Sequence, residues 1–326
     1  MTRYRNTGEA FTTLLKEIIE DGHVVTVREH QTREICAQLI ELDRPTERLL
    51  FVPGRNNNIF ATIAETMWVL AGRNDLSYLT PYLERAPQFS DDGGKTWRAA
   101  YGPRLRDWNG TDQLAEIVKL FRRDPNTRRA AMTLFDPDRD FVESNDIPCN
   151  NWLHFIARDG QLNLHVAARS TDIWWGFSGI NAFEWSLLLE VMAHWVGLDV
   201  GRLAFFTSSL HLYERHDKQA EVVLSSDLAQ TYPAVNSPRF ATPWEQFDTE
   251  LATWMNLEEQ LRNGTDLDTI DNGLHDPLMR AYIEMIDLYW SFQRDSDSKP
   301  VRSKLEKLGA TDLGLAATQF IEHRTR

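Results

Sequence analysis

Cys149 is one of two cysteines among 326 residues, and it stands in Ile147-Pro148-Cys149-Asn150. An arginine pair, Arg128-Arg129, precedes it, and Arg169-Ser170-Thr171-Asp172, Asn181 and His211-Leu212-Tyr213 follow. A thiol becomes a nucleophile when neighbouring positive charge lowers its pKa, and guanidinium groups are fork-shaped ligands for phosphate. Together these types predict a site that binds a phosphorylated substrate and attacks it. Taken singly, each has a plainer reading. An isolated Pro-Cys is usually a small buried hydrophobe, an arginine pair is usually solvated, and His211 with Tyr213 suit a core with satisfied polar tips. Glu65, inside the apolar run Ala64-Glu65-Thr66-Met67-Trp68, is harder to set aside. A carboxylate facing a core needs a polar partner or a raised pKa, which makes it an acid/base candidate.

Competing motifs are weak. The chain has no Gly-x-Gly-x-x-Gly fingerprint, no phosphate-loop lysine motif and no His-Glu-x-x-His pair, and Gly93-Gly94-Lys95 lacks the first half of a phosphate loop. A Cys-His hydrolase pairing Cys149 with one of the nine histidines stays open at this level, although nothing in the sequence places an oxyanion hole.

The elements that must position these residues follow from periodicity and punctuation. Residues 9–21 read as a helix, and 33–42 and 48–52 as strands. Phe60 to Ala71 has a helical apolar pattern closed by Gly72. Leu114, Ile117, Val118 and Phe121 share one helix face behind Thr111 as N-cap, and Asp124-Pro125-Asn126 stops that helix. Ala130–Phe135 reads as a short strand, so Arg128 and Arg129 lie where a loop enters a sheet. Trp152–Ala157 and Leu162–Ala168 are apolar-rich runs around Asp159-Gly160, a hairpin dipeptide that sets Cys149 at the hairpin mouth. A buried helix over 181–196 and a strand over Leu203–Ser208 follow. From about residue 243 the texture turns helical, with Thr242 as cap, Pro243 in the first helical position, and segments over 243–262, 277–293 and 311–323.

Composition bounds the rest. With 42% hydrophobic residues the chain can bury a sizeable core, as one large domain or one domain with a helical appendage. A net charge of −13 disfavours sequence-independent binding to nucleic acid or to an anionic membrane, so any phosphate needs a local arginine cluster. No apolar run of about 18 residues and no leader pattern is found, and two cysteines suit a reducing compartment; a cytoplasmic protein is expected.

The order of these residues resembles the thymidylate synthases together with the pyrimidine nucleotide hydroxymethylases. From Glu65 to His216 the chain carries Glu65-Thr66-Met67-Trp68-Val69-Leu70-Ala71-Gly72, similar to the family's Glu-Leu-Leu-Trp-Phe-Leu-x-Gly helix, then Tyr101-Gly102, Asp124-Pro125-Asn126-Thr127-Arg128-Arg129 and Pro148-Cys149. Asp159-Gly160-Gln161-Leu162, Arg169-Ser170-Thr171-Asp172 with Gly176, Asn181, Gly197-Leu198 and His211-Leu212-Tyr213 complete the set. The resemblance covers roughly half the chain, is looser upstream, and leaves the tail beyond about residue 240 outside.

It implies an α/β (α+β) three-layer fold with a large mixed sheet in a catalytic domain over 1–240, and a helical C-terminal extension over 241–326 packed on it. It also implies a homodimer with shared active sites, and 5,10-methylenetetrahydrofolate as co-substrate with a pyrimidine nucleoside monophosphate, without metal. Residue by residue, Cys149 resembles the nucleophile that adds to carbon 6, Glu65 the glutamate organising proton transfer, and Arg169 the arginine contacting both phosphate and thiol. Arg128 and Arg129 resemble the pair given to the neighbouring subunit's phosphate, and Ser170 a further phosphate ligand. His211 and Tyr213 resemble sugar ligands, Asn181 the base-reading residue, and Asp172, with Tyr101, folate-side residues. Arg28 or Arg33 would fill an N-terminal phosphate position.

Departures from the family pattern point to addition of water, not hydride, at the exocyclic methylene. The tryptophan-rich segment expected before Tyr101 is replaced by Gln88-Phe89-Ser90-Asp91-Asp92, and the short closing C-terminus by a tail ending His323-Arg324-Thr325-Arg326. Asn150 stands where synthases carry histidine, Ala168 for the usual glutamine, and Ser209 for the sugar-binding aspartate. Asn181 fits only with one residue inserted after Asp172. These features favour C5-hydroxymethylation of a cytidylate, CMP or dCMP. The alternatives are a dUMP hydroxymethylase or a thymidylate synthase, and, from another class, a non-catalytic nucleotide-binding dimer.

Overall fold

The computed structural model describes residues 2–226 and 232–325. The last residue of the expected tail, Arg326, lies outside them. In chain order the elements are β1 (Thr2–Tyr4), α1 (Thr7–Asp21), β2 (His23–Val27), β3 (His30–Leu42), α2 (Ile59–Leu70), α3 (Leu76–Leu79), α4 (Tyr101–Arg106), α5 (Gln113–Arg123), β4 (Ala131–Thr133) and α6 (Pro137–Asp140). Then come β5 (Asn150–Arg158), β6 (Gln161–Ala168), β7 (Thr171–Asp172), a π-helical segment (Ile173–Asn181), α7 (Ala182–Val196), β8 (Asp199–Tyr213) and α8 (Asp217–Ser225). Four helices follow: α9 (Trp244–Arg262), α10 (Pro277–Arg294), α11 (Lys299–Leu308) and α12 (Asp312–Thr325).

All eight strands join one mixed sheet in the order β1-β3-β8-β6-β5-β4, with β2 on β3 and β7 on β8. The β5–β6 hairpin turns on Asp159 and Gly160, both at positive φ (52° and 76°), the backbone that a two-residue turn of this hand requires. Side chains alternate along its strands. Leu153, Phe155, Leu162, Leu164 and Val166 are buried, and their neighbours Trp152, His154, Asn163 and His165 are not. The buried face lies under α1 and α7, and each fully buried side chain of this size contributes about 1.5–3 kcal/mol.

The chain divides into two compact units, one holding the residues up to Arg55 with Trp68–Tyr232, the other Asn56–Met67 with the residues from Pro233 on. Residues 56–67, which the sequence reading puts in the catalytic domain, group with the second unit because Phe60 packs its ring on Tyr289 (5.4 Å) and Phe320 (5.1 Å). No helix among the described residues is long and apolar enough to cross a membrane.

Several local expectations are corrected. Residues 48–52 are a loop, not a strand; the buried Arg48 guanidinium in it bonds Ser186 (3.0 Å) and Glu190 on α7. Asp112, not Thr111, caps α5, its carboxylate accepting from Ala115 N–H at 3.0 Å. Helix α9 starts at Trp244 with Pro243 as the N-cap residue, and Thr242 donates instead to Asp276 Oδ2 at 2.8 Å. Strand β8 runs well beyond Leu203–Ser208, and β2, α8 and α11 have no counterpart in the sequence reading.

Candidate active site

Cys149 and Arg169 are twenty residues apart in sequence, yet the hairpin brings them side by side. Asn150 pairs with Ala168 at the open end of β5–β6, so the residues just beyond the pair face each other. Arg169 N–H donates to Cys149 O at 2.9 Å, which locks the two backbones together. The guanidinium folds back over the same loop, with Nε on Pro148 O (3.0 Å), Nη2 on Ile147 O (2.7 Å) and the same Nη2 3.6 Å from Cys149 Sγ. The expectation that arginine lowers the thiol pKa needs a correction of balance. Burial, the largest cause, pushes the Cys149 thiol up; Arg169 opposes it, while Asp146 and Asp172 add to it, and the net shift is upward.

Tyr101 reaches the residue after Cys149, its hydroxyl oxygen accepting from Asn150 N–H (3.1 Å) and Nδ2 (2.7 Å). Burial holds its phenol protonated far above the usual range. The Tyr101-Gly102 motif has a packing reason. A Cβ on Gly102 would stand 2.4 Å from Arg73 O and 2.8 Å from Arg73 N, so only glycine lets α4 approach the turn that ends α2.

Asp172 is brought to His211 by the parallel β7–β8 pairing, and Thr171 to Leu210. Its Oδ1 caps the π-helical segment by accepting from Trp174 N–H at 2.8 Å. A π-helix accommodates an extra residue within a helical run, and the segment from Ile173 to Asn181 has that form. Asn181 ends that segment, nearly buried, and its Nδ2 donates to Glu184 Oε2 at 3.4 Å. His211 packs edge-on against Tyr213 (5.2 Å), and burial lowers its imidazole pKa, so it is neutral at physiological pH. Tyr213 in turn carries the Arg215 guanidinium 3.9 Å from its ring centroid.

Arg128 and Arg129 are exposed on the loop leading into β4, an edge strand. His154, on the half-exposed face of the sheet, contacts Arg128 O at 3.2 Å, so the pair sits at the rim of that face. Ser170 is half-buried directly after Arg169. Arg33 is paired with Asp217 at 3.8 Å, whereas Arg28, in the β2–β3 turn, acts on the Tyr213 phenol. Glu65 is half-exposed on α2 between buried Ala64 and Thr66 and belongs to the second unit.

Three functional candidates escape sequence reasoning. Glu34 on β3 accepts from Ser209 Oγ at 2.6 Å, which sets a carboxylate beside that serine. Only the β3–β8 register, with Glu34 opposite His211, reveals it. Trp97 stacks on Phe89 (4.8 Å between centroids, 12° between planes) and donates its Nε1–H to Asp146. The segment read as lacking its indole therefore has one, a few residues later. The available clue was Trp97 itself, four residues before Tyr101. Asp146, the third candidate, is pushed up to about 6, chiefly by burial.

The mixed sheet thus sets a thiol locked to an arginine at a hairpin mouth, and pairs Asp172 on β7 with His211 on β8, the strand that also carries Tyr213. The thymidylate synthase family profile matches residues 9–252. The deoxyuridylate hydroxymethyltransferase of Bacillus phage SP01 is 38% identical over 217 residues, 63% of this chain and 56% of that protein. That of Pseudomonas phage M6 is 32% identical over 295 residues, 86% of this chain and 82% of its own. A putative thymidylate synthase of Methanothermobacter marburgensis is 28% identical over 221 residues, 67% of this chain and 95% of its own. The chain belongs to the thymidylate synthase family, whose members are folate-dependent one-carbon transferases. The likeness reaches further than the sequence motifs suggest. An alignment over 86% of the chain cannot stop at residue 240, so the M6 protein shares part of the helical region.

Proposed function

We propose that this chain is a methylenetetrahydrofolate-dependent deoxyuridylate 5-hydroxymethyltransferase. The covalent chemistry is supported by the Cys149–Arg169 arrangement, with Nη2 3.6 Å from Sγ, next to the Asp172–His211 pairing, and the choice of deoxyuridylate by the likeness to the phage M6 hydroxymethyltransferase. Cys149 adds as thiolate to carbon 6 of the pyrimidine, which makes carbon 5 nucleophilic; Arg169 and Ser170 bind the phosphate, and His211 and Tyr213 the sugar. Glu65 organises loss of the carbon 5 proton. Arg28, with Arg33 already engaged by Asp217, is the N-terminal phosphate ligand in this reading.

The donor set fits the folate. The Trp97–Phe89 stack offers a flat aromatic wall, and Asp172 Oδ2 carries no hydrogen bond among the described residues while Oδ1 caps the π-helical segment. The co-substrate supplies the one-carbon unit at carbon 5 and leaves as tetrahydrofolate. Water then adds to the exocyclic methylene, and Cys149 is released.

The shared active site is part of the same proposal. Leu39, Phe206, Ala167 and Trp152 are successive register partners across β3, β8, β6 and β5, and the three large ones are 42%, 44% and 40% exposed. An apolar row of this kind across a sheet face fits a second copy of the same face, and it brings the Arg128-Arg129 rim to the partner's phosphate. Residues 1–240 are the catalytic domain in this reading, and 241–326 its helical extension.

Cytidylate is kept as a second reading by one observation. Glu184 accepts from Asn181 Nδ2 at 3.4 Å, which leaves the amide oxygen for the base, and that oxygen can accept from uracil's N3–H or from cytosine's 4-amino group. The test is to incubate the protein and methylenetetrahydrofolate with dUMP, UMP, dCMP and CMP separately and to weigh the products. A hydroxymethyl adduct on dUMP is expected; product on dCMP or CMP alone overturns the uridylate assignment.

A further inference from the structure

Asp146 lies three residues before the nucleophile, in a loop that is held unusually firmly. Ser144 Oγ bonds Asp91 Oδ2 at 2.6 Å and accepts from Asp146 N–H at 3.0 Å. Arg98 ties the same region to Asp140 (3.2 Å), whose carboxylate is buried against Arg104 (2.7 and 2.8 Å). The Asp146 carboxylate accepts the Trp97 indole N–H on Oδ2; Oδ1 has no hydrogen bond among the described residues and is not fully buried. The charged groups acting on it are Arg169 and Arg104, which favour its ionised form, and Asp91, which opposes it.

A carboxylate here is costly. It is partly desolvated, and it raises the pKa of the very thiol that must ionise. Accepting one indole N–H does not require a charge, since a neutral amide oxygen would serve. An anion is needed where a proton is to be taken up, and water addition has such a step.

We propose that Asp146 is the general base for the water that attacks the exocyclic methylene, and that Trp97 is the residue that positions it. The inference rests on the hydroxymethyl reading above. The water oxygen bonds to the methylene carbon and its proton passes to Asp146 Oδ1. The methylene π pair moves into the ring, and as the carbon 5–carbon 6 double bond re-forms the carbon–sulfur bond breaks, returning Cys149 as thiolate. A base poised near neutrality suits this transfer, and Asp146 titrates at about 6.

The test separates this step from those before it. In Asp146→Asn, release of tritium from carbon 5 should stay within about threefold of wild type, while hydroxymethyl product falls about 100-fold, the usual worth of a general base. The stranded methylene should be captured by added 2-mercaptoethanol as a thioether of the nucleotide. Asp146→Glu, which keeps the base, should recover part of the product. Trp97→Phe keeps the stack and loses the N–H that favours the ionised carboxylate, so the acid limb of the rate, near pH 6 in wild type, should move upward. Unchanged product from Asp146→Asn, or loss of tritium release in step with product, overturns the inference, as does an unmoved acid limb in Trp97→Phe. A methylated product from the wild-type protein would overturn the proposed function as well; a hydroxymethylated one with an indifferent Asp146→Asn overturns the inference alone.

Discussion

At the scale of single residues, burial tilts Cys149 toward its neutral thiol. Cys149 is raised by burial, by Asp146 and by Asp172, against Arg169 alone on the lowering side. Each pKa unit of upward shift cuts the thiolate fraction at neutral pH about tenfold. Alkylation of Cys149 by iodoacetamide should therefore climb with pH through a midpoint above that of an ordinary thiol. Arg169→Ala should move that midpoint further up and slow alkylation at a fixed pH near neutrality, because the one favourable charge is gone. The reading must be taken on the Cys149 peptide by mass spectrometry, since Cys36 is exposed and will react independently. A midpoint that stays put or falls in Arg169→Ala would show that the 3.6 Å contact has no electrostatic consequence for the thiol.

At the scale of elements, what the sequence makes legible is what local rules govern. Asp159-Gly160 announces the hairpin, apolar spacing announces α2 and α5, and Gly72, at φ 71°, ends α2. The hairpin in turn makes the Cys149–Arg169 encounter predictable, because pairing of adjacent strands follows from their turn. Long-range contacts are a different matter. Glu34 reaches Ser209 only through a β3–β8 register joining residues 175 positions apart, and Trp97 reaches Asp146 between two loops 49 positions apart. No periodicity encodes either. The loop at 48–52 is misread for a third reason: Leu49 and Leu50 are buried, as a strand's apolar residues would be, but the buried Arg48 bond to Glu190 fixes it instead of a ladder. Between Asp172 and Asn181 the backbone is π-helical, a form that no spacing rule in the sequence announces.

At the scale of the whole molecule, the proposed dimer makes each site depend on two chains. If Arg128 and Arg129 serve the partner's phosphate, an inactive Cys149→Ala chain mixed with an inactive Arg129→Ala chain should regain activity after subunit exchange. One of the two sites in each mixed dimer then holds both a thiol and a complete arginine pair. Absence of recovery after exchange has been verified by mass would assign the pair to its own chain or to the surface. The apolar row from Leu39 to Trp152 is the surface this experiment relies on, and its burial is a precondition for any recovery.

In the proposed reaction water, not hydride, completes the chemistry at the exocyclic methylene. Following the folate during turnover of dUMP tests it most directly, because hydride transfer oxidises the folate and water addition does not. Tetrahydrofolate is expected to form in step with 5-hydroxymethyl nucleotide, with no absorbance rise at the dihydrofolate band. A rise stoichiometric with a methylated nucleotide would contradict it and make this chain a synthase in activity as well as in fold.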